Sequence, residues 1–234
     1  KKFEELVKNH PLAQEEPESL LYIGDLYQEE KEPVDAFEAY DKMLKNYPNS
    51  SLYSTGRKRL EDLAFAVADG NVKYDLFWMF ETSVDTRRSI EMLMSVRDNA
   101  PYAPSAARAL LKVGQVYEKV GQNEQAVATY YQVVDNYPAS ASAPYAQYAI
   151  GYNYLNRIES GSKNKSFLKS AQEAYEDFLH RYPRHELASK AKEELNTVRY
   201  RLAALNLEVG RFYLSTGNQP SAIFYFQEAA HDQY

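Results

Sequence analysis

The sequence predicts an all-α protein built from a row of antiparallel helix pairs. Tyr-Pro recurs in the segments 46–50, 136–140 and 181–185, each time after a stretch of helix-forming residues. Glycine and alanine occur at fixed distances before the prolines of the first two segments. Because 44% of the 234 residues are hydrophobic, the chain can supply a folded core. The recurrence indicates one structural unit that is used several times in succession.

The best-preserved units are the two stretches that end at Pro48 and Pro138. The first reads LLYIGDLYQEEKEPVDAFEAYDKMLKNYP, and the second reads LLKVGQVYEKVGQNEQAVATYYQVVDNYP. Each has Gly three residues before Tyr, Ala four residues before a later aromatic residue, and Pro eight residues after that aromatic. This spacing resembles the tetratricopeptide repeat, a helix pair of about 34 residues. The resemblance implies a tetratricopeptide-repeat right-handed solenoid of antiparallel helix pairs.

The spacing has a mechanical meaning for the two helices of a unit, here called helix A and helix B. Glycine at the eighth position of the unit lets helix B approach helix A closely, and alanine at the twentieth makes the matching gap. The aromatic residue of helix B, such as Tyr40 or Tyr130, is expected to fill the space to the neighbouring unit. Proline lacks an N–H and disfavours helix in the residue before it, so each Tyr-Pro is predicted to end helix B.

The positions of these residues divide the chain into one array of repeats. The predicted boundaries are a partial repeat at 1–13 and repeats at about 17–50, 54–103, 107–140, 144–185 and 186–234. Insertions are expected at 70–85, between the helices of the second full unit, and at 158–165 in the fourth. No Gly or Pro occurs from Arg184 to Val209, which predicts one elongated helix from about 186 to 215 at the start of the last unit.

Composition excludes several classes of function. A formal net charge of -6 is the wrong sign for a general nucleic-acid binder, which needs a basic face. No apolar run approaches the roughly 20 residues that a membrane span requires. The absence of cysteine excludes disulfides, thiolate catalysis and cysteine-based zinc sites.

Signatures of catalysis are few. The chain has no Gly-x-Gly-x-x-Gly, Walker, Gly-x-Ser-x-Gly or His-Glu-x-x-His motif. Ser166 and Lys169 match Ser-x-x-Lys without its companion motifs, and the four histidines mostly lie near Tyr-Pro turns or helix ends. We therefore predict a protein that is not an enzyme and that has no cofactor, no metal site and no small-molecule substrate.

A binding surface is predicted on helix A. In tetratricopeptide arrays this helix lines the concave face, and its second, fifth, ninth and twelfth positions point into the groove. The partner-binding candidates on this face are Arg108, Leu111, Gln115, Tyr145, Tyr148, Tyr152, Leu155 and Arg211. Such a groove suits an extended or helical peptide. An alternative of equal weight is that the three tyrosines pack onto the neighbouring helix.

The insertion at 70–85 is the second candidate for binding. Tyr74, Phe77, Trp78 and Phe80 place four aromatic residues within seven positions. Their side chains either cover the weakly patterned second unit or serve as anchors for a partner protein. Internal packing is the favoured interpretation.

Residues 107–230 carry a more specific pattern. YPASASAPYAQYAIGYNYL is followed by a polar insertion, by AYEDFLHRYP, and by a segment that contains Arg201-Leu-Ala and the pair Phe212 and Tyr213. This combination resembles the BamD family of outer-membrane assembly lipoproteins. The resemblance implies a periplasmic scaffold at the inner face of the outer membrane, held by a lipid on a residue before Lys1. Its partners would be the β-barrel insertase and other assembly subunits, or unfolded outer-membrane protein segments.

Two other functions are compatible with the repeats. A periplasmic coordinator of cell-envelope growth or division would use similar Tyr-Pro-x-Ser turns. A regulatory segment of a larger enzyme would also contain an array of this kind. The BamD-like scaffold is the function that the sequence favours.

Overall fold

The computed structural model describes residues 17–76, 80–159 and 165–231. Within these ranges the chain forms ten helices and one two-stranded hairpin. In chain order the elements are α1 (Pro17–Glu29), α2 (Pro33–Asn46), α3 (Tyr53–Ala68), β1 (Lys73–Leu76), β2 (Phe80–Ser83), α4 (Thr86–Asn99), α5 (Pro104–Lys119), α6 (Asn123–Asn136), α7 (Ala143–Glu159), α8 (Lys165–Arg181), α9 (Ala188–Ser215) and α10 (Gln219–His231). The predicted all-α class is confirmed, with the hairpin as an addition that the sequence did not indicate.

The contacts divide the chain into two compact units, Lys1–Val116 and Tyr117–Tyr234. In the first unit α1 packs on α2, α2 on α3 and α3 on α4. In the second unit α6 packs on α7, α7 on α8, α8 on α9 and α9 on α10. These contacts between helices that are consecutive in the chain are the arrangement expected of stacked helix pairs.

Three helices end immediately before a Tyr-Pro pair, as the sequence predicts: α2 at Asn46, α6 at Asn136 and α8 at Arg181. The backbone N–H of Tyr47 donates to the carbonyl of Met43 at 3.0 Å, and Tyr137 makes the equivalent bond to Val133 at 3.0 Å. The next residue is proline and has no N–H, so the helical ladder stops there. A turn follows in which the N–H of Ser50 donates to the carbonyl of Tyr47 at 3.1 Å.

Three glycines of helix A lie directly under an aromatic ring of helix B from the same pair. The pairs are Gly24 with Tyr40, Gly151 with Tyr175, and Gly210 with Phe226. A Cβ atom built on these glycines would lie 2.2, 2.8 and 2.6 Å from the nearest ring carbon, respectively. The expectation that the helix B aromatics fill the space to the neighbouring unit was wrong at these positions. The missing side chain of each glycine makes room for a ring within its own pair.

In the first unit a half-buried carboxylate joins α2 to α4. Asp41 on α2 accepts a hydrogen bond from the Ser95 hydroxyl and one from Asn99 Nδ2 at 3.1 Å, and it pairs with Lys45 Nζ at 2.6 Å. Burial by itself would raise the pKa of Asp41, but the hydrogen bonds from Lys45, Ser95 and Asn99 outweigh it and lower the pKa below its ordinary value. The ionised carboxylate is therefore the form that stabilises the fold.

We expect Asp41→Asn to lower the free energy of unfolding by about 1–3 kcal/mol at neutral pH, because charge-assisted hydrogen bonds are lost. Folding lowers the pKa of Asp41, so its contribution is present above the unfolded-state pKa of about 3.9 and is lost as the pH falls through the folded-state value. The difference between wild type and variant should therefore shrink on acidification. Urea denaturation at a series of pH values measures it. The control Asp98→Asn removes an exposed carboxylate that pairs with Arg97, and it should change the free energy of unfolding little. If the effect of Asp41→Asn did not depend on pH, the ionised Asp41 carboxylate would not be the stabilising form.

The core of the second unit lies among α7, α8 and α9. Its buried side chains are Tyr148, Leu155, Leu168, Ala171, Tyr175, Phe178, Ala191, Leu195, Val198 and Leu202. The first half of α9 packs on α8 through this core, and its second half contacts α10, where Gly210 meets Phe226. α9 has 28 residues, and about 1.5 Å of rise per residue makes it about 42 Å long. The sequence predicts a helix from about 186 to 215 here, and the observed helix is Ala188–Ser215.

The insertion at 70–85 contains the hairpin, in which β1 and β2 pair antiparallel with Lys73 opposite Ser83 and Leu76 opposite Phe80. Strands were not expected in this segment. The side chains of Tyr74 and Phe80, and the whole of Phe77 and Trp78, lie outside the described residues, so their two interpretations stay predictions. The partial repeat at 1–13 and residues 160–164 of the second insertion also lie outside them.

Candidate functional site

A cleft of about 480 Å³ opens in the first unit along α3 and α5, the first helices of two successive pairs. Its lining residues are Asp62, Phe65, Ala66, Asp69, Asn71, Arg108, Leu111, Lys112 and Gln115. Three predicted groove residues, Arg108, Leu111 and Gln115, therefore lie in one cleft. The prediction that helix A positions form a concave surface agrees with this placement, while binding to it stays a prediction.

Both walls of the cleft follow the helical period. On α3 the lining residues are 62, 65, 66 and the flanking 69, and on α5 they are 108, 111, 112 and 115. Residues spaced by three and four positions lie on one face of a helix, so each wall is a single helical stripe. The opposite stripe of α5 supplies core residues such as Ala106, Leu110 and Val113.

Arg108 and Phe65 contact each other across the cleft. The guanidinium carbon of Arg108 lies 4.0 Å from the centre of the Phe65 ring, within the range of a cation–π interaction. The Arg108 side chain is exposed to solvent, and Phe65 is partly buried. The contact with the ring holds the guanidinium group against the α3 wall of the cleft.

Several other charges along these helices are paired. Lys112 forms a salt bridge with Asp69 in the cleft itself. Next to the cleft, Glu61 accepts hydrogen bonds from Arg57 at 3.1 Å and from the Ser105 hydroxyl at 2.7 Å. The carboxylates of Asp69 and Glu61 therefore already have partners within the first unit.

The cleft combines the groups that bind a polypeptide backbone and its side chains. Phe65, Ala66 and Leu111 provide apolar surface, while the amides of Asn71 and Gln115 can donate and accept hydrogen bonds. Within the part of the chain that the structure describes, no group of three or more His, Cys, Asp or Glu residues is placed to hold a metal ion. The cleft therefore combines apolar surface with hydrogen-bonding side chains.

The fourth-unit candidates on α7 separate into core and surface residues. Tyr148 is 8% exposed and Leu155 is 3% exposed, and both belong to the core of the second unit. The Tyr148 ring lies 5.7 Å from that of Tyr175 and 6.0 Å from that of Phe178, measured between ring centres. Tyr152 is partly buried against the same cluster. Tyr148 therefore packs onto the neighbouring helix, as the alternative interpretation of the three tyrosines predicts.

Tyr145 is the most accessible of the three predicted tyrosines, with 40% of its surface exposed. Its hydroxyl donates to Glu186 Oε1 at 2.5 Å, and its ring meets that of His185 edge to face at 5.0 Å. The hydrogen bond to the Glu186 carboxylate raises the pKa of Tyr145 above its ordinary value. Tyr145 thus fastens the start of α7 to the turn before α9, a structural role that the sequence did not indicate.

Arg211, the remaining candidate, lies exposed on α9 in the second unit. It is not among the residues that line the cleft along α3 and α5. By contrast, sequence reasoning missed Asp62 and Phe65. In the unit that begins at 54, Asp62 is at the ninth position and Phe65 at the twelfth. The position rule that selected residues in the later units would have selected these two as well, but it was not applied to this degenerate unit.

The helix pairs, the Tyr-Pro helix ends and the glycine-on-ring contacts define a tetratricopeptide-repeat protein, and residues 18–50 match the tetratricopeptide repeat family. Residues 81–231, more than half of the chain, match the YfiO family, described as outer membrane lipoprotein. The chain belongs to this family.

Relatives support this membership. An outer membrane protein assembly factor BamD of Caulobacter vibrioides is 28% identical over 180 residues, which is 77% of this chain and 52% of the relative. A protein of the same description from Xylella fastidiosa is 27% identical over 124 residues, covering 49% of this chain and 42% of the relative. The chain thus spans about half the length of the curated relatives it matches.

A crystal structure of MamA protein aligns with 93% of this chain and 91% of its own, at 18% identity and a TM-score of 0.46. The family assignment therefore rests on sequence. None of the helices in the described ranges combines the length and the apolar character that crossing a membrane requires.

Proposed function

We propose that this protein is a non-catalytic scaffold in the assembly of outer-membrane β-barrel proteins. Membership in the YfiO family, through residues 81–231, is the observation that carries this proposal. The curated relatives named as outer membrane protein assembly factors support it. The proposed location is the periplasm, at the inner face of the outer membrane.

The proposed partner is a polypeptide: the β-barrel insertase, another assembly subunit, or an unfolded segment of an outer-membrane protein. The cleft along α3 and α5 is the proposed contact site. It offers apolar surface, side-chain amides and charges of both signs within about 480 Å³. An extended strand presents alternating side chains and a regular row of N–H and C=O groups, which these groups can contact together.

The test measures binding of short fluorescent peptides tiled across an unfolded outer-membrane β-barrel protein. We expect the wild-type chain to bind a subset of them, and we expect Leu111→Glu to weaken that binding by about tenfold or more, because a charge replaces apolar surface in the cleft. Fluorescence anisotropy measures the affinity, and circular dichroism verifies that the variant is folded.

The matched control is Ile223→Glu, which makes the same change of residue class on α10, where the side chain is 57% exposed. Binding should be unchanged in this variant. Loss of binding in Ile223→Glu with retention in Leu111→Glu would move the contact site from the cleft to α10. A wild-type chain that binds none of the peptides would refute unfolded substrate as the partner.

A further inference from the structure

We propose that Arg108 forms a subsite in this cleft that selects an acidic side chain of the bound polypeptide. The inference rests on the proposed function, since it presumes that a peptide occupies the cleft. It adds a specificity to that function: the preferred segments carry an Asp or Glu at one position.

The first argument is the state of the guanidinium group. The guanidinium carbon lies 4.0 Å from the centre of the Phe65 ring, and among the described residues the guanidinium group makes no hydrogen bond. Among the described residues, no carboxylate forms an ion pair with Arg108. An arginine that is positioned by stacking and has unused donors is preorganised for a planar, bidentate acceptor, and a carboxylate is that acceptor.

The second argument is that nearby carboxylates have other partners. Asp69 is paired with Lys112, and Glu61 is held by Arg57 and Ser105. Each of these pairs would have to break before its carboxylate could compete for Arg108. The site is therefore available to a carboxylate that arrives with the ligand.

The third argument concerns Asp62, the remaining charge of the cleft. It lies on α3, one turn before Phe65, whereas Arg108 comes from α5 and its guanidinium group reaches the Phe65 ring. A ligand carboxylate is attracted to the guanidinium group and repelled by Asp62, while peptide N–H groups suit the Asp62 carboxylate. The arrangement thus orients a chain that passes through the cleft.

The number of cations favours an acidic side chain over a free C-terminus. Terminal carboxylates are commonly held by several donors that converge on them. Here Lys112 is engaged by Asp69, which leaves one guanidinium group for the ligand. The planar guanidinium group of Arg108 can donate two parallel hydrogen bonds to one side-chain carboxylate of an extended peptide.

The experiment uses the peptides that bind the wild-type chain, each synthesised in matched forms: with Asp or Glu, with the corresponding Asn or Gln, and with a free or an amidated C-terminus. We expect the acidic forms to bind about tenfold more tightly than the amide forms. The net charge of the chain is -6 and repels acidic ligands in general, so this preference must arise locally.

Arg108→Gln should abolish the preference, so that the acidic and amide forms bind equally, and Arg108→Lys should retain part of it. The control Arg211→Gln removes an exposed arginine from α9 and should leave the preference intact. Equal binding of acidic and amide peptides to the wild type would overturn the subsite but leave the proposed function standing. A preference that survives in Arg108→Gln, or one that depends only on the free C-terminus, would also overturn it. Absence of any peptide binding would defeat both.

Discussion

Phe178→Ala is expected to lower the free energy of unfolding by about 3–5 kcal/mol, the range for removing a fully buried phenylalanine. Phe178 is 0% exposed and lies in the core of the second unit. Its ring contacts Tyr148 at 6.0 Å, Tyr182 at 5.6 Å and His185 at 5.9 Å between ring centres. Truncation leaves a cavity among helices that are held apart by other large side chains, so the neighbours collapse only partly. Urea denaturation followed by circular dichroism measures the loss.

The matched control is Phe224→Ala, the same substitution on α10, where the phenylalanine is 54% exposed. We expect a change below about 1 kcal/mol, because much of that ring is already in water. Similar losses in the two variants would show that the core of the second unit is not where the structure places it. A small loss in Phe178→Ala would contradict the burial of its ring.

Gly24→Ala is expected to destabilise the first unit by about 1–3 kcal/mol through overpacking. The new Cβ would lie 2.2 Å from Cε1 of Tyr40, and the ring is fully buried. The ring cannot move freely, because its hydroxyl donates to Asp25 Oδ1 at 2.7 Å and lies 3.1 Å from Gln28 Oε1. Alanine gains about 1 kcal/mol over glycine in a helix, and we expect the steric conflict to exceed this gain.

Gly56→Ala provides the comparison for this prediction. Gly56 is also buried in helix A of its pair, but the atom nearest to a Cβ there is Sδ of Met43, at 2.8 Å. A methionine side chain changes rotamer easily, so the steric cost should be smaller and the helix propensity gain should offset more of it. Thermal unfolding of both variants tests the ranking. A Gly24 variant as stable as the Gly56 variant would refute rigid packing of Tyr40 on Gly24.

The repeat architecture could be predicted because it depends on local chemistry. Proline after tyrosine ends a helix wherever it occurs, and a glycine facing an aromatic residue marks the closest approach of two helices. These rules located the helix ends at Asn46, Asn136 and Arg181 without knowledge of the fold. The direction of the Tyr40 ring was mistaken because spacing alone does not tell which neighbour fills a gap.

The site was harder to predict, because it depends on which helices become neighbours. Position rules selected Arg108, Leu111 and Gln115, which line one cleft, but the other wall belongs to a unit whose repeat pattern is weak. Tyr145 and Tyr148 both occupy predicted groove positions, yet Tyr148 is buried and Tyr145 is hydrogen-bonded to Glu186. The hairpin was missed because KYDL and FETS are too short to show a strand period.

The uninterrupted course of α9 has a mechanical consequence. Most helix pairs in this chain are linked to the next by a turn, which can act as a hinge under load. α9 instead belongs both to the packing on α8 and to the last pair with α10, with a continuous hydrogen-bonded backbone between the two contacts. A force applied to α10 would therefore be transmitted through the backbone of α9 to its contact with α8. The last helix pair and the α7–α8 core are mechanically coupled by this one helix.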